Sequence, residues 1–346
     1  MRKLFKTFML ACVGTLLSLT AQAADKPKIG MPMPTLNDAF WVDYVNFAKT
    51  AAEAYGYELV VTDGQAKEDK QLADIETLIN AGVKGIILTP LSEPLGIQAL
   101  ELTNKANVPV VVTDTFPGVE VGSTPNYLAF IKLDDETAGY NVAKHLIEKD
   151  GVKKIVGIGG VPGISTSEAR NDGLKKAVAE HPEVQLLDVQ YTDWTLAKGQ
   201  TVMEDFLTRF DSIDGVWGAG SDPLLGAIVS IENAGRSGIK LAGIDITAAA
   251  LDSLAEDKLT MLAGGHWVMG GYGLTVLHDA INGHPTDQPV YEMSLYYLTK
   301  DKIGNYRSEI IEPLAAGKSL IDWKAISKTS NPSVKHSDVF NVIEPK

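Results

Sequence analysis

Between Lys28 and Ile281 one pattern recurs nine times: a short run rich in Val, Ile and Leu, followed by a longer amphipathic stretch. Short continuous apolar runs fit strands buried on both faces, and the stretches between them are long enough to return over a sheet as helices. That combination points to a parallel α/β architecture. Strands are predicted at 28–33, 57–62, 84–89, 108–113, 154–159, 184–190, 214–219, 239–244 and 259–263. Helices are predicted at 39–54, 67–81, 92–106, 135–149, 170–180, 196–210, 223–234, 247–257 and 268–282. In the first helix Trp41, Val45, Ala48 and Ala52 share one inward face, and Gly56 ends it.

The order of elements is itself repeated. Lys28-Ile29-Gly30 opens a strand, a Pro-containing loop, a helix, a Gly turn and a second strand ending near Val61; Lys154-Ile155-Val156 opens the same series, ending near Leu187. Two lobes with a common starting topology are expected, with a cleft between them.

The 346 residues suit two domains, and 45% hydrophobic with 22% charged residues is an ordinary globular balance. A formal net charge of -13 disfavours nucleic acid and anionic membrane surfaces as partners. The single cysteine, Cys12, leaves no means of building a disulfide framework or a cysteine-rich metal site. Residues 1–23 read as a cleavable signal peptide. Arg2, Lys3 and Lys6 precede an apolar run from Phe8 to Leu19, and Ala21-Gln22-Ala23 supplies the small-x-small cleavage pattern. Met9-Leu10-Ala11 before Cys12 is a poor lipoprotein site. Cleavage removes three cations and no acid, taking the charge from -13 to -16, and no later run is apolar enough for a membrane span. An exported, periplasmic protein is expected.

In open α/β sheets ligands bind beyond the carboxyl ends of the strands. Those ends carry Asp38 with Phe40 and Trp41, then Thr89, Asp114, Ser165 to Arg170, Ser221 with Asp222, Asp245, and Gly265-His266-Trp267. An Asp or Ser after a strand commonly caps the next helix. Capping accounts for neither Arg170 nor the aromatic residues Phe40, Trp41, Trp194 and Trp267.

The stretch Thr35-Leu36-Asn37-Asp38-Ala39-Phe40-Trp41, with Gly56-Tyr57-Glu58-Leu59-Val60-Val61 after its helix, resembles the opening of periplasmic sugar-binding proteins of the ribose-binding type. Ala106-Asn107-Val108-Pro109 leading to Asp114, Gly163 to Gly173 around Arg170, Asp193-Trp194, Gly220-Ser221-Asp222 and Gly243-Ile244-Asp245 follow in the family's order, over about residues 28–285. The resemblance implies two doubly wound parallel-sheet lobes joined by a three-stranded hinge. It places polar pocket positions at Asp38, Asp114, Arg170, Ser221 and Asp245, aromatic faces at Phe40, Trp41 and Trp194, and the family's last-crossover glutamine at Gly265 or His266. Asp222 and His266 complete the candidate ligand-binding set. The function implied is capture of a sugar or polyol for a membrane ABC permease, by a monomer with no cofactor, no metal and no catalytic residue.

On this reading residues 24–131 with 267–295 form the N-terminal lobe and 132–266 with 296–327 the C-terminal lobe, and 328–346 are a polar tail. The chain crosses between lobes near 130–134, 264–267 and 293–297. Departures from the ribose pattern bear on the ligand. Thr115 stands where an arginine is expected, and Asp38 and Ser221 where asparagine is common, so acids gain over donors and ribose is not the expected ligand. A sensor of the same fold, signalling to a membrane histidine kinase or chemoreceptor, is the alternative, and an exported hydrolase or isomerase a more distant one. Gly157 to Gly163 resembles a dinucleotide loop, but Pro162 falls where the third glycine belongs. The six histidines show no metal-ligand spacing. Trp217 is expected in the core, and Trp267 and Tyr272 in either core or pocket.

Overall fold

Two six-stranded sheets organise the chain. The computed structural model describes residues 25–346, so the expected signal peptide, with Cys12, lies outside the described residues. The first sheet holds β1 (Lys28–Met33), β2 (Glu58–Asp63), β3 (Ile86–Leu88), β4 (Val110–Thr113), β5 (Tyr127–Leu133) and β11 (Val290–Met293). The second holds β6 (Lys154–Gly159), β7 (Gln185–Tyr191), β8 (Gly215–Gly218), β9 (Lys240–Ile244), β10 (Met261–Gly264) and β12 (Tyr296–Leu298). Their spatial orders, β2-β1-β3-β4-β5-β11 and β7-β6-β8-β9-β10-β12, are the same until the last strand, which is parallel in the first sheet and antiparallel in the second. The internal repeat in the sequence is thus a repeat of sheet topology.

Helices α1 (Ala39–Tyr55), α2 (Glu68–Asn80), α3 (Glu93–Lys105) and α9 (Met269–Ile281) belong with the first sheet. Helices α4 (Asp135–Glu148), α5 (Ser165–Ala179), α6 (Leu196–Arg209), α7 (Ser221–Asn233) and α8 (Ala248–Ala255) belong with the second. Strand cores are aliphatic and fully buried, as at Ile29, Val111, Ile155 and Val216, which accounts for the unbroken apolar runs. The chain passes between the sheets three times: after β5, after β10 and between β11 and β12. Among the described residues no helix is long and apolar enough to cross a membrane.

Some elements differ from the sequence reading. β5, β11 and β12 were not predicted, because Tyr, Lys and Glu interrupt their short apolar runs. Helix α5 begins at Ser165 rather than 170, despite the poor helix propensity of Ser165-Thr166-Ser167. Tertiary packing overrides propensity there: α4 and α5 meet backbone to backbone, and a Cβ on Gly139 would stand 2.0 Å from the Arg170 carbonyl oxygen.

The C-terminal segment differs most. Residues 323–327, assigned on sequence to the second lobe, lie on the first. Trp323 packs 4.9 Å from Phe47 and donates its indole N–H to Thr50 Oγ1 at 3.1 Å. The polar tail that follows is docked as well: Phe340 stacks on Tyr272 at 4.4 Å, and the Tyr272 hydroxyl donates to the Asn341 carbonyl. Its anchor is Asp279 on α9, buried, which accepts hydrogen bonds from the Ser327 and Thr329 hydroxyls and the Lys328 and Thr329 N–H groups, and faces His336 Nε2 at 2.9 Å. Sequence polarity concealed this because several of the segment's polar groups meet one buried carboxylate.

Candidate functional site

Arg170, on the second turn of α5, is the centre of the interlobe cluster. Its Nε donates to Asp135 Oδ1 at 2.8 Å and its Nη1 to the Ala219 carbonyl at 2.8 Å, with the side chain 5% exposed. Three guanidinium N–H groups remain for other partners. Burial opposes its charge, but Asp135, Asp245 and Asp114 together hold its pKa above the ordinary arginine value. Asp135 was missed in the sequence. The strand-end rule that picked out Asp114 would have found it had β5 been recognised, since Asp135 follows Leu133 by two residues.

Asp114 and Asp245 each stand one residue past a strand, β4 and β9, in the left-handed conformation at φ 64° and 76°. Trp194, just past β7, has φ 67°. Non-glycine residues rarely adopt this region, and a bulky one there stores strain, a feature that clusters at functional sites. Each backbone turn aims its side chain into the cleft rather than along the strand. Burial raises the pKa of Asp114 against the pull of Arg170 and of the Thr115 hydroxyl, which donates to Asp114 Oδ2 at 3.2 Å. Burial pushes Asp245 to about 7, with Arg170 opposing and Asp38 adding to the rise. Asp135 is raised to about 6 by burial, with Arg170 opposing.

Asp38 caps α1, accepting the Phe40 N–H at Oδ1 over 2.8 Å. It is nevertheless raised to about 6, by burial first and then by Asp222, which approaches from the opposite lobe. Asp222 is itself raised by burial. The capping reading of Asp38 and the cleft reading therefore both hold. Ser221 turns its hydroxyl to Thr247 at 3.3 Å, and its N–H donates to Asp245 Oδ2 at 3.4 Å.

His266, on the turn after β10, has Nε2 3.4 Å from Asp245 Oδ1 and its ring 4.3 Å from Phe40. Burial, then Arg170, lowers its pKa well below the ordinary histidine value, so it is neutral. Among the described residues its buried Nδ1 has no hydrogen-bond partner. Gly265, the other candidate for this position, adopts φ 98° and turns the chain so that the imidazole enters the cluster. Trp41 reaches the cluster through Phe40, 4.8 Å away, and Tyr44, 5.4 Å away. Beneath them the Tyr44 hydroxyl donates to Thr113 Oγ1 at 2.6 Å, and Thr113 and Thr89 hydroxyls lie 2.8 Å apart.

The glycine-rich loop after β6 has a packing role. A Cβ on Gly160 would lie 1.9 Å from Trp194 Cζ2, so this glycine makes room for the indole, which in turn lies 5.9 Å from the Arg170 guanidinium carbon. Trp267 belongs to the core, 2% exposed and 5.0 Å from Phe47, and Tyr272 is buried against Phe340. Trp217 is fully buried, its indole N–H donating to the Gly139 carbonyl.

Beside the cluster lies a cavity of about 510 Å³ bordered by Asp114, Asp135, Phe116, Phe130, Ser165 and Ala169. At its edge the Phe116 N–H of the first lobe donates to Ser165 Oγ of the second at 3.2 Å. Among the described residues no group of three His, Cys, Asp or Glu side chains is placed to hold a metal. Acceptor oxygens, a fixed guanidinium and aromatic faces around an interlobe space suit a small hydroxylated molecule.

A periplasmic binding protein domain matches residues 29–285. The ribose import binding protein of Escherichia coli is 28% identical over 252 residues, spanning 72% of this chain and 83% of that protein. The xylitol-binding protein of Mycolicibacterium smegmatis is 27% identical over 290 residues, 82% of this chain and 80% of its own length. Among solved structures, the binding protein of the arabinose ABC transporter from Shewanella sp. ANA-3, bound to α- and β-L-arabinofuranose, has a TM-score of 0.78 at 22% identity, over 84% of this chain and 97% of that one. At that identity the likeness speaks for the fold. The domain match, the repeated sheets and the cleft between them make this chain a member of the periplasmic binding protein family.

Proposed function

We propose that this protein captures a sugar or polyol between its lobes and delivers it to a membrane ABC permease. The observation that carries the reading is Arg170, held by Asp135 within its own lobe and drawn toward Asp114 of the other. A cation placed between acids from two lobes can hold ligand hydroxyls and tie cleft closure to ligand contact. Relatives named for ribose and xylitol support a hydroxylated ligand. The indole of Trp194 and the ring of Phe40 offer apolar faces for its C–H groups. The residues we assign to the ligand are Asp38, Phe40, Trp41, Asp114, Arg170, Trp194, Ser221, Asp222, Asp245 and His266.

The signal-like segment 1–23 supports export to the periplasm, where we place the protein as a monomer that binds its cargo without converting it. The test is a thermal-shift screen over pentoses, hexoses and polyols, followed by calorimetry of the parent and of Arg170→Ala. Binding by the parent and none by the variant is the expected result. Unchanged affinity in a folded variant would remove Arg170 from the site, and chemical conversion of a bound sugar would replace transport with catalysis.

A further inference from the structure

We propose that the C-terminal segment is a brace across the hinge. It adds two passages between the lobes to the three that join the sheets, and with residues 342–346 as its fastening it favours the closed arrangement. This goes beyond ligand capture and does not depend on which ligand the cleft takes.

The outward passage starts on the second lobe, where Lys300 pairs with Asp257 and Arg307 with Asp252 of α8. Helix α10 (Ile303–Tyr306) stacks the fully buried Tyr306 on Tyr296 of β12, with ring centres 5.8 Å apart. Burial, and to a lesser degree Asp43 of α1, raise the Tyr306 hydroxyl above the ordinary tyrosine range, so this ring stands where the lobes meet. Helix α11 (Glu312–Ala315) then lies against α1. From there Trp323 fastens to α1, and the stretch from Ser327 to Asn341 to α9.

The return passage is short. Just past Asn341, Val342 covers the crossover that follows β10: a Cβ on Gly265 would stand 3.1 Å from Val342 Cβ. Glu344 lies close enough to Tyr296 to add to the rise that burial gives that hydroxyl. Lys346 donates its N–H to Glu309 Oε2 at 2.8 Å and accepts at its carbonyl from Asn305 Nδ2 at 3.2 Å. Asn305 and Glu309 flank Arg307, which is tied to Asp252, so the chain is back on the second lobe.

The segment is therefore held on the second lobe at both ends and on the first lobe between them. Turning one lobe against the other moves Glu309 relative to Asn341, and the five residues that join Asn341 to Lys346 reach at most about 17 Å. These contacts are made while the lobes also meet across the cleft, where the Phe116 N–H donates to Ser165 Oγ. A contact shifts an equilibrium toward the state in which it is made, so the fastening favours closure. Apparent ligand affinity scales with the fraction of protein able to close, and falls when the fastening is removed.

The experiment measures the distance between the lobes in the ligand-free protein. The described residues hold no cysteine, so Gln98→Cys in α3 and Ala197→Cys in α6 carry one spin label on each lobe. Both positions are exposed and near helix starts, at the carboxyl ends of the strands. Pulsed electron double resonance then compares this labelled protein with the same chain ending at Asn341, and with Asn305→Ala combined with Glu309→Ala, which keeps the full length should the shortened chain fail to fold. We expect the label distance to lengthen in both, with the ratio of open to closed protein rising about threefold to tenfold and far-ultraviolet circular dichroism unchanged. For any sugar or polyol that binds the parent, calorimetry should show affinity falling by about the same factor. Distance distributions identical to the parent's in both variants overturn the brace. Shorter distances, or tighter binding, overturn its direction. The distances need no ligand, so a failed sugar screen counts against the sugar reading alone.

Discussion

Asp114 and Asp245 are topological counterparts. Each is the first residue beyond the fourth strand of its sheet in chain order, each has left-handed φ, and each donates its N–H to the next strand, Asp114 to the Ile131 carbonyl at 2.8 Å and Asp245 to the Ala263 carbonyl at 2.7 Å. The duplicated fold therefore presents the same carboxylate from both lobes, with Arg170 between them. Asn tolerates the left-handed region about as well as Asp and carries no charge to bury. Asp114→Asn and Asp245→Asn should keep or raise the melting temperature of the ligand-free protein while weakening ligand binding by about tenfold or more. A fall in melting temperature with affinity retained would count against the assignment; scanning calorimetry and titration calorimetry read the two quantities.

Stability of the ligand-free protein should fall as pH rises from about 4 to about 7. Asp38, Asp135 and Asp245 are raised by burial to about 6, 6 and 7, so over that interval the folded chain holds protons that the unfolded chain has released. For Asp245 alone the effect is on the order of 4 kcal/mol. Asp279 and Asp287 act oppositely, since hydrogen bonds hold both below the ordinary carboxylate range and their contribution is lost as pH falls below about 4. Melting temperature should thus peak near pH 4 to 5, and Asp245→Asn should flatten the alkaline slope. Ligand hydroxyls that donate to these carboxylates favour the ionised form, so binding should release protons. Titrations in buffers of different ionisation enthalpy measure that release directly.

Gly160→Ala tests the place of the indole. The added methyl would overlap Trp194, which must then leave its position beside Arg170. The expected outcome is an affinity loss of about tenfold with far-ultraviolet circular dichroism preserved and a shifted tryptophan emission. Parent-like emission and affinity would show that the ligand does not meet this face.

Asp279→Ala should loosen the C-terminal segment. It leaves Ser327, Lys328, Thr329 and His336 without their common acceptor in a buried place, a change that typically costs about 3 to 5 kcal/mol. Hydrogen exchange over residues 327–342 should rise toward that of an exposed segment, and trypsin should cut after Lys328 and Lys335. Because α9 carries Asp279 at the end away from the cleft residues, ligand affinity should change much less than stability.

How far the sequence reached follows from particular residues. Asp38, Asp114, Ser221 and Asp245 could be picked out as candidates because each lies a few residues past an apolar strand, and the strand-end rule requires only knowing where strands stop; Arg170, a turn into α5, stood out because capping does not account for it. Asp135 obeys the same rule but was hidden with β5, whose Tyr, Ala and Lys break the aliphatic run. Trp267 and Trp194 are both tryptophans near strand ends, yet one packs on Phe47 and the other stands beside Arg170. No local pattern separates them, because the difference lies in which neighbour each indole meets. That the tail docks on the first lobe was not decided by its polar sequence, which does not reveal that one buried carboxylate receives several of its hydrogen bonds.

By itself the sequence determined what depends on neighbours along the chain: strands buried on both faces, crossover helices, two copies of one topology, and a charged or aromatic residue at the end of strand after strand. Only the tertiary structure decided what depends on partners far apart in the chain. It paired Arg170 with Asp135, set Asp114 opposite Asp245, left His266 Nδ1 without a partner among the described residues, and folded residues 327–341 back onto α9. Hydrophobic periodicity is a local quantity and survives in a linear string. Hydrogen bonds and burial energies are fixed by distances that exist only once the lobes have closed around them.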